Sequence, residues 1–129
     1  MIVVDTSALV ATLSGEAERE RVNVAIASAS TCLMSLASFV ECAIVITARY
    51  GEAGTQHLRL YLNEAGIELV PVDRDQADLA VHAWERYGRV RHRAALDYGD
   101  CFAYALAASR SAPLLYVGDD FAATDLARA

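Results

Sequence analysis

Four places in this chain set acidic side chains against apolar surroundings. Asp5 ends the run Met1-Ile2-Val3-Val4, and Asp119-Asp120 follow Gly118 after Leu114-Leu115-Tyr116-Val117. Glu41 is the one charge in Ser38-Phe39-Val40-Glu41-Cys42-Ala43-Ile44-Val45-Ile46, and Asp100 opens Cys101-Phe102-Ala103-Tyr104-Ala105-Leu106-Ala107. Burying an unpaired carboxylate costs several kcal/mol, or shifts its pKa until the group is neutral. Glu41 and Asp100 therefore require a nearby cation or an outlet to solvent at an edge. Arginine could serve as that cation. A divalent ion is the other solution, because acids converging in one pocket repel each other. Oxygen ligands without clustered His or Cys favour Mg²⁺ or Mn²⁺ over Zn²⁺. Such a site suits phosphodiester hydrolysis, with one or two ions activating water and stabilising charge on phosphorus and the leaving oxygen. Taken alone, Asp5 and Asp119-Asp120 also read as turn or cap residues.

No serine or cysteine nucleophile with a paired base stands out. His57 lies in a polar helix, and His82 and His92 read as surface or packing groups. Cys32, Cys42 and Cys101 are far apart, lack CxxC spacing and have apolar neighbours, so they read as buried packing groups.

The elements that must position the acids alternate between strand and helix. Met1–Val4 is a β-branched run, and Thr6-Ser7 offers N-cap chemistry to a short helix over Ala8–Leu13. A second helix is expected over Glu16–Ala29, with its acids in the first turns as the macrodipole favours. A strand at Thr31–Met34 precedes a helix capped by Ser35 and running to about Arg49. Gly51 and Gly54 separate it from a helix at about Thr55–Ala65, which Gly66 stops. Ile67–Val72 is a third strand, Asp75 opens a helix to about Tyr87, and Gly88–Leu96 is a basic irregular segment. Asp97 or Gly99 begins a helix through Ser109, and Leu114–Val117 is the last strand. This order implies an α/β fold, a parallel sheet covered on both faces. Ligand sites in such sheets lie beyond the carboxyl ends of the strands, which puts Asp5 and Asp119-Asp120 on one edge.

The 129 residues suit one domain spanning 1–129, and a hydrophobic share of 55% suffices for a core without disulfide staples. No apolar run approaches the ~18–20 residues that span a bilayer. The start of the chain lacks the basic region of a signal peptide, so a cytoplasmic location is expected. A formal charge of −6 argues against indiscriminate attraction to nucleic acid. Yet the chain has no lysine, and Arg86, Arg89, Arg91 and Arg93 fall within eight residues. Guanidinium groups suit bidentate phosphate contact. The segment reads either as a substrate contact or as a solvated basic loop.

Taken together, Val3-Val4-Asp5-Thr6-Ser7-Ala8, Ser38–Cys42, Gly99–Ala107 and Gly118–Leu126 resemble the PIN-domain family, most closely its VapC-type toxins of type II toxin–antitoxin systems. The likeness covers essentially the whole chain, with every motif in order. It implies a three-layer αβα fold and Mg²⁺- or Mn²⁺-dependent endoribonuclease activity. It also implies Asp5 and Asp100 as principal metal ligands, Glu41 as third acid, and Ser7 as a hydroxyl ordering water at the metal. Asp120 is favoured over Asp119 as fourth acid, because the residue before Phe is the steadier acid in similar segments. Homodimers and a VapB-type antitoxin, whose peptide tail blocks the acidic pocket, are implied as well.

Two other folds with acids at strand ends fit less well. A phosphoacceptor receiver needs a lysine near its acceptor, and an aspartyl-nucleophile phosphatase needs an acid where Ser7 stands. A non-catalytic PIN-like module that only binds RNA or protein is the remaining alternative, and the presence of all four acids counts against it.

Overall fold

The computed structural model describes residues 1–90 and 92–129; Arg91, one of the four arginines singled out above, lies outside the described residues. Strands β1 (Ile2–Val4), β2 (Cys32–Ser35), β3 (Ile67–Val70) and β4 (Leu114–Leu115) form a parallel sheet in the order β3-β2-β1-β4. Their side chains alternate between two layers. Val3, Leu33, Val70 and Leu114 pack beneath α4 (Arg74–Tyr87) and α5 (Tyr98–Arg110). Ile2, Val4, Cys32, Met34, Ile67 and Leu115 face α1 (Thr6–Leu13), α2 (Arg19–Ser28) and α3 (Leu36–Glu64). A sheet covered on both faces keeps polar residues out of the middle of its central strands, while at the edge, in β3, Glu68 is exposed. That accounts for the unbroken Ile-Val-Val and Cys-Leu-Met runs, and the result is the expected three-layer αβα architecture.

Several boundaries differ from the sequence expectation. The second helix starts at Arg19 rather than Glu16, and β3 and β4 stop at Val70 and Leu115, short of the expected ends. The two helices expected around Gly51 and Gly54 are both present within α3 and meet at a kink at Gly51, φ 69°, ψ −158°, so the second begins before Thr55. Glycine enters that left-handed region at little cost, so the chain passes from one helix directly into the next. Gly54 lies inside the second of these helices, buried tight against Ile46 and Tyr50.

The topology dictates where a site can lie. The chain passes from β1 to β2 through α1 and α2 and on to β3 through α3 in one layer, then returns from β3 to β4, beside β1, through α4 and α5 in the other. Strand order therefore reverses at β1, opening a crevice beyond the carboxyl ends of β1 and β4. The outer side of β4 is covered in turn: the Leu114 amide donates to Ala127 and the Ala129 amide donates to Leu114, each at 2.9 Å. Among the described residues, no helix is long and apolar enough to cross a membrane.

Candidate active site

Asp5 emerges from β1 at the crevice. Its amide still pairs with the Leu115 carbonyl at 2.9 Å, and its own backbone is extended, so the side chain is free to cap α1. Asp5 Oδ2 accepts from the Ser7 amide at 3.0 Å and from Ser7 Oγ at 2.6 Å. Thr6-Ser7 was expected to supply the cap; Asp5 supplies it instead. Thr6 turns its hydroxyl to the Ser38 carbonyl at 2.9 Å, fastening α1 to α3. Ser7 Oγ also accepts from the Val117 amide at 3.0 Å, which ties Asp5 to the chain leaving β4. Asp5 is thus both cap and buried acid, with 3% of its surface exposed. Burial pushes its carboxyl up to about 6; the Ser7 bonds oppose this, and the charge of Glu41 adds to it.

Asp100 is the third residue of α5 and half of a capping box. Asp97 Oδ1 accepts from the Asp100 amide at 2.9 Å, and Asp100 Oδ2 accepts from the Asp97 amide at 3.0 Å. The box satisfies two backbone donors reciprocally and fixes the Asp100 carboxyl in one orientation. Burial pushes that carboxyl up to about 8, the Asp97 amide opposes the shift, and the charges of Asp5, Asp97 and Asp120 reinforce it. Asp5, Asp100 and Asp120 therefore share one electrostatic neighbourhood, which Glu41 enters through Asp5.

Glu41 is half-buried rather than sealed in an apolar helix, since Val40 and Ile44 beside it are exposed at 53% and 64%. Its carboxylate lies against the backbone of Gly99 in the first turn of α5. Asp119 and Asp120 are both exposed, on a turn that Phe121 anchors by burying its ring against Tyr116. The far end of that turn is held by Tyr104, which donates to Asp125 Oδ1 at 2.7 Å. The charge of Asp120 reaches Asp100.

The structure thus brings Asp5, Glu41, Asp100 and Asp120 to one edge, with Ser7 between Asp5 and β4. Sequence reasoning missed the roles of Asp97, Gly99 and the Tyr104–Asp125 pair. Only the first had a local signal, the Asp-x-x-Asp spacing of a capping box. The donor set is all carboxylate oxygen, like-charged and partly desolvated, which is what a hard divalent cation neutralises. Among the described residues, no three His, Cys, Asp or Glu side chains stand close enough to ligate one ion as they are. The caps engage Oδ2 of Asp5 and Oδ2 of Asp100. Half-buried Glu41 and exposed Asp120 are the members with room to adjust.

The basic segment behaves differently. Arg86 pairs with Asp125 at 3.5 Å and lies over the Tyr87 ring, while Arg89 and Arg93 are exposed. His92 accepts from the Ala94 amide and packs edge-on to Tyr87, a packing role as expected. His57 and His82 are exposed, and all three cysteines are free and buried.

A family model described as PIN domain matches residues 2–126. Ribonuclease VapC30 of Mycobacterium tuberculosis is 52% identical over 126 residues, covering 98% of this chain and 96% of that protein. Ribonuclease VapC of Mycolicibacterium smegmatis is also 52% identical, covering 98% of each. Among solved structures, M. tuberculosis VapC20, described as a sarcin-ricin loop cleaving toxin, superposes with a TM-score of 0.79 at 22% identity, covering 100% of this chain and 98% of that one. A toxin–antitoxin complex from Klebsiella pneumoniae gives 0.74 at 21% identity, covering 97% and 93%.

Proposed function

This chain belongs to the PIN-domain family, among its VapC ribonucleases, and we propose that it is the toxin of a type II toxin–antitoxin system, a Mg²⁺- or Mn²⁺-dependent endoribonuclease. The observation that carries the reading is the convergence of Asp5, Glu41, Asp100 and Asp120 at the carboxyl edge of β1 and β4. Relatives of 52% identity named ribonucleases support the choice of RNA as substrate.

In this reading Asp5 and Asp100 are the principal ligands, because the α1 cap and the α5 capping box hold them in place. Glu41 and Asp120 complete the donor set from its more exposed side. A bound divalent ion supplies Lewis acidity toward the phosphate and acidifies the attacking water. Ser7 keeps Asp5 aligned and positions its own hydroxyl beside the crevice, within reach of water there. Asp97 works at one remove, by orienting Asp100.

The partner proposed is a VapB-type antitoxin whose peptide tail enters the acidic crevice. A guanidinium on that tail would neutralise the same carboxylates as the cation does. A homodimer acting in the cytoplasm completes the proposal. Incubating the purified chain with an RNA pool and Mg²⁺ or Mn²⁺ tests it. Cleavage lost on adding EDTA, and lost in Asp5→Asn or Asp100→Asn, is the expected result. No cleavage of any RNA by the unaltered chain would overturn it in favour of a non-catalytic binding module.

A further inference from the structure

We infer that Gly99 is a positioning residue for Glu41: its missing side chain is the space in which the Glu41 carboxylate stands. α3 and α5 belong to opposite layers of the fold, and Glu41 meets Gly99 at the carboxyl edge beyond the sheet. A methyl group on Gly99 would overlap Glu41 Oε2 outright and stand 2.6 Å from Cδ and 2.8 Å from Oε1. Real β-carbons do not tolerate such distances, so any side chain at 99 evicts the carboxylate.

The backbone gives no reason for glycine here. Gly15, Gly51, Gly66 and Gly118 have φ between 66° and 93°, and a Cβ on each would meet open space. Those four serve the chain's own path. Gly99 is instead a helical residue within the first turn of α5, where alanine is the better helix former. Local preference favours alanine, and the reason for its absence is the neighbour across the crevice. What blocks a Cβ is the end of a flexible side chain, so Gly99→Ala leaves the fold able to form and displaces Glu41 alone. The role rests on the reading above in which Glu41 belongs to the metal-holding acids.

Mn²⁺ binding to the full chain, followed by electron paramagnetic resonance alongside thermal melting, tests the role. Gly99→Ala should weaken Mn²⁺ binding about tenfold, as loss of an orienting contact does, and to the extent that Glu41→Ala does, with no fall in melting temperature. The double variant should bind Mn²⁺ like Glu41→Ala alone, since there is then no carboxylate to displace. Binding by Gly99→Ala equal to that of the unaltered chain overturns the role, as does a further additive loss in the double variant. Should Gly99→Ala melt early, recovery in the double variant supports the same steric coupling, and no recovery overturns it. An unaltered affinity in Glu41→Ala rejects the assignment of Glu41 itself, and the role of Gly99 with it.

Discussion

The acids of the crevice come from four separate stretches of sequence and meet in space, whereas Arg86, Arg89 and Arg93 are neighbours in sequence with no shared target in the fold. Each buried acid is held by backbone: Asp5 by the α1 cap, Asp100 by the capping box. Among the described residues of the basic segment, Arg86 alone has an acidic partner, the exposed Asp125. Val90 beside them is 96% exposed at φ 67°. A run of like charges in sequence is easily left to solvent. Like charges brought together by topology, and desolvated, must be stabilised by something further.

The comparison can be broken most directly at the acids. Asp100→Asn should lower RNA cleavage by roughly a hundredfold or more, without lowering the melting temperature, because the amide resembles the neutral carboxyl that burial favours there. Reduced cleavage with a lower melting temperature would mean that Asp100 is chiefly structural. Asp120→Asn should reduce cleavage about tenfold and Asp119→Asn scarcely at all; equal losses would make the pair interchangeable.

Metal removal sharpens the contrast through pH. The carboxyls of Asp5 and Asp100 stand above their ordinary value of 3.8, at about 6 and about 8. Groups raised in the folded state stabilise it fully below the ordinary value, and that stabilisation is lost as pH rises through the folded value. With EDTA, the melting temperature should therefore fall between about pH 4 and about pH 9. Mg²⁺, binding only the folded chain, should lift the alkaline end most. A pH dependence indifferent to Mg²⁺ would count against an ion between these acids.

Tyr104→Phe should cost about 1 kcal/mol of stability, the worth of one hydrogen bond, and lower cleavage a few-fold by loosening the turn that carries Asp120. Denaturant unfolding and initial rates read both. The smallest effect belongs to the basic segment: replacing Arg89 and Arg93 with alanine should weaken RNA binding modestly and flatten its salt dependence. An unchanged slope leaves those arginines as a solvated loop.

What could be read in the sequence followed from local chemistry. Asp5 was visible as an acid closing a β-branched run, and Glu41 and Asp100 as charges that apolar helices would not carry without cause. The parallel sheet was visible in the alternation of strands with helices. The reading of Asp5 as a mere cap and its reading as a site acid looked like alternatives, yet the carboxylate that caps α1 is also buried at the crevice, so the cap does not exclude the other role. Glu41 against Gly99, Ser7 against Val117 and Tyr104 against Asp125 are meetings across long stretches of chain, and no local spacing announces them. The break between two helices at Gly51 was legible, because a glycine at positive φ interrupts the helical path.

The bond from the Val117 amide to Ser7 Oγ spans 110 positions, and β1 gains β4 as a neighbour only from that same late part of the chain. A chain leaving the ribosome from its first residue carries Asp5 and Glu41 long before any strand exists to complete the crevice. Contacts of such high sequence separation also form slowly, since loop-closure entropy must be met before they reward it. Unfinished copies of this chain are thereby left without a working edge.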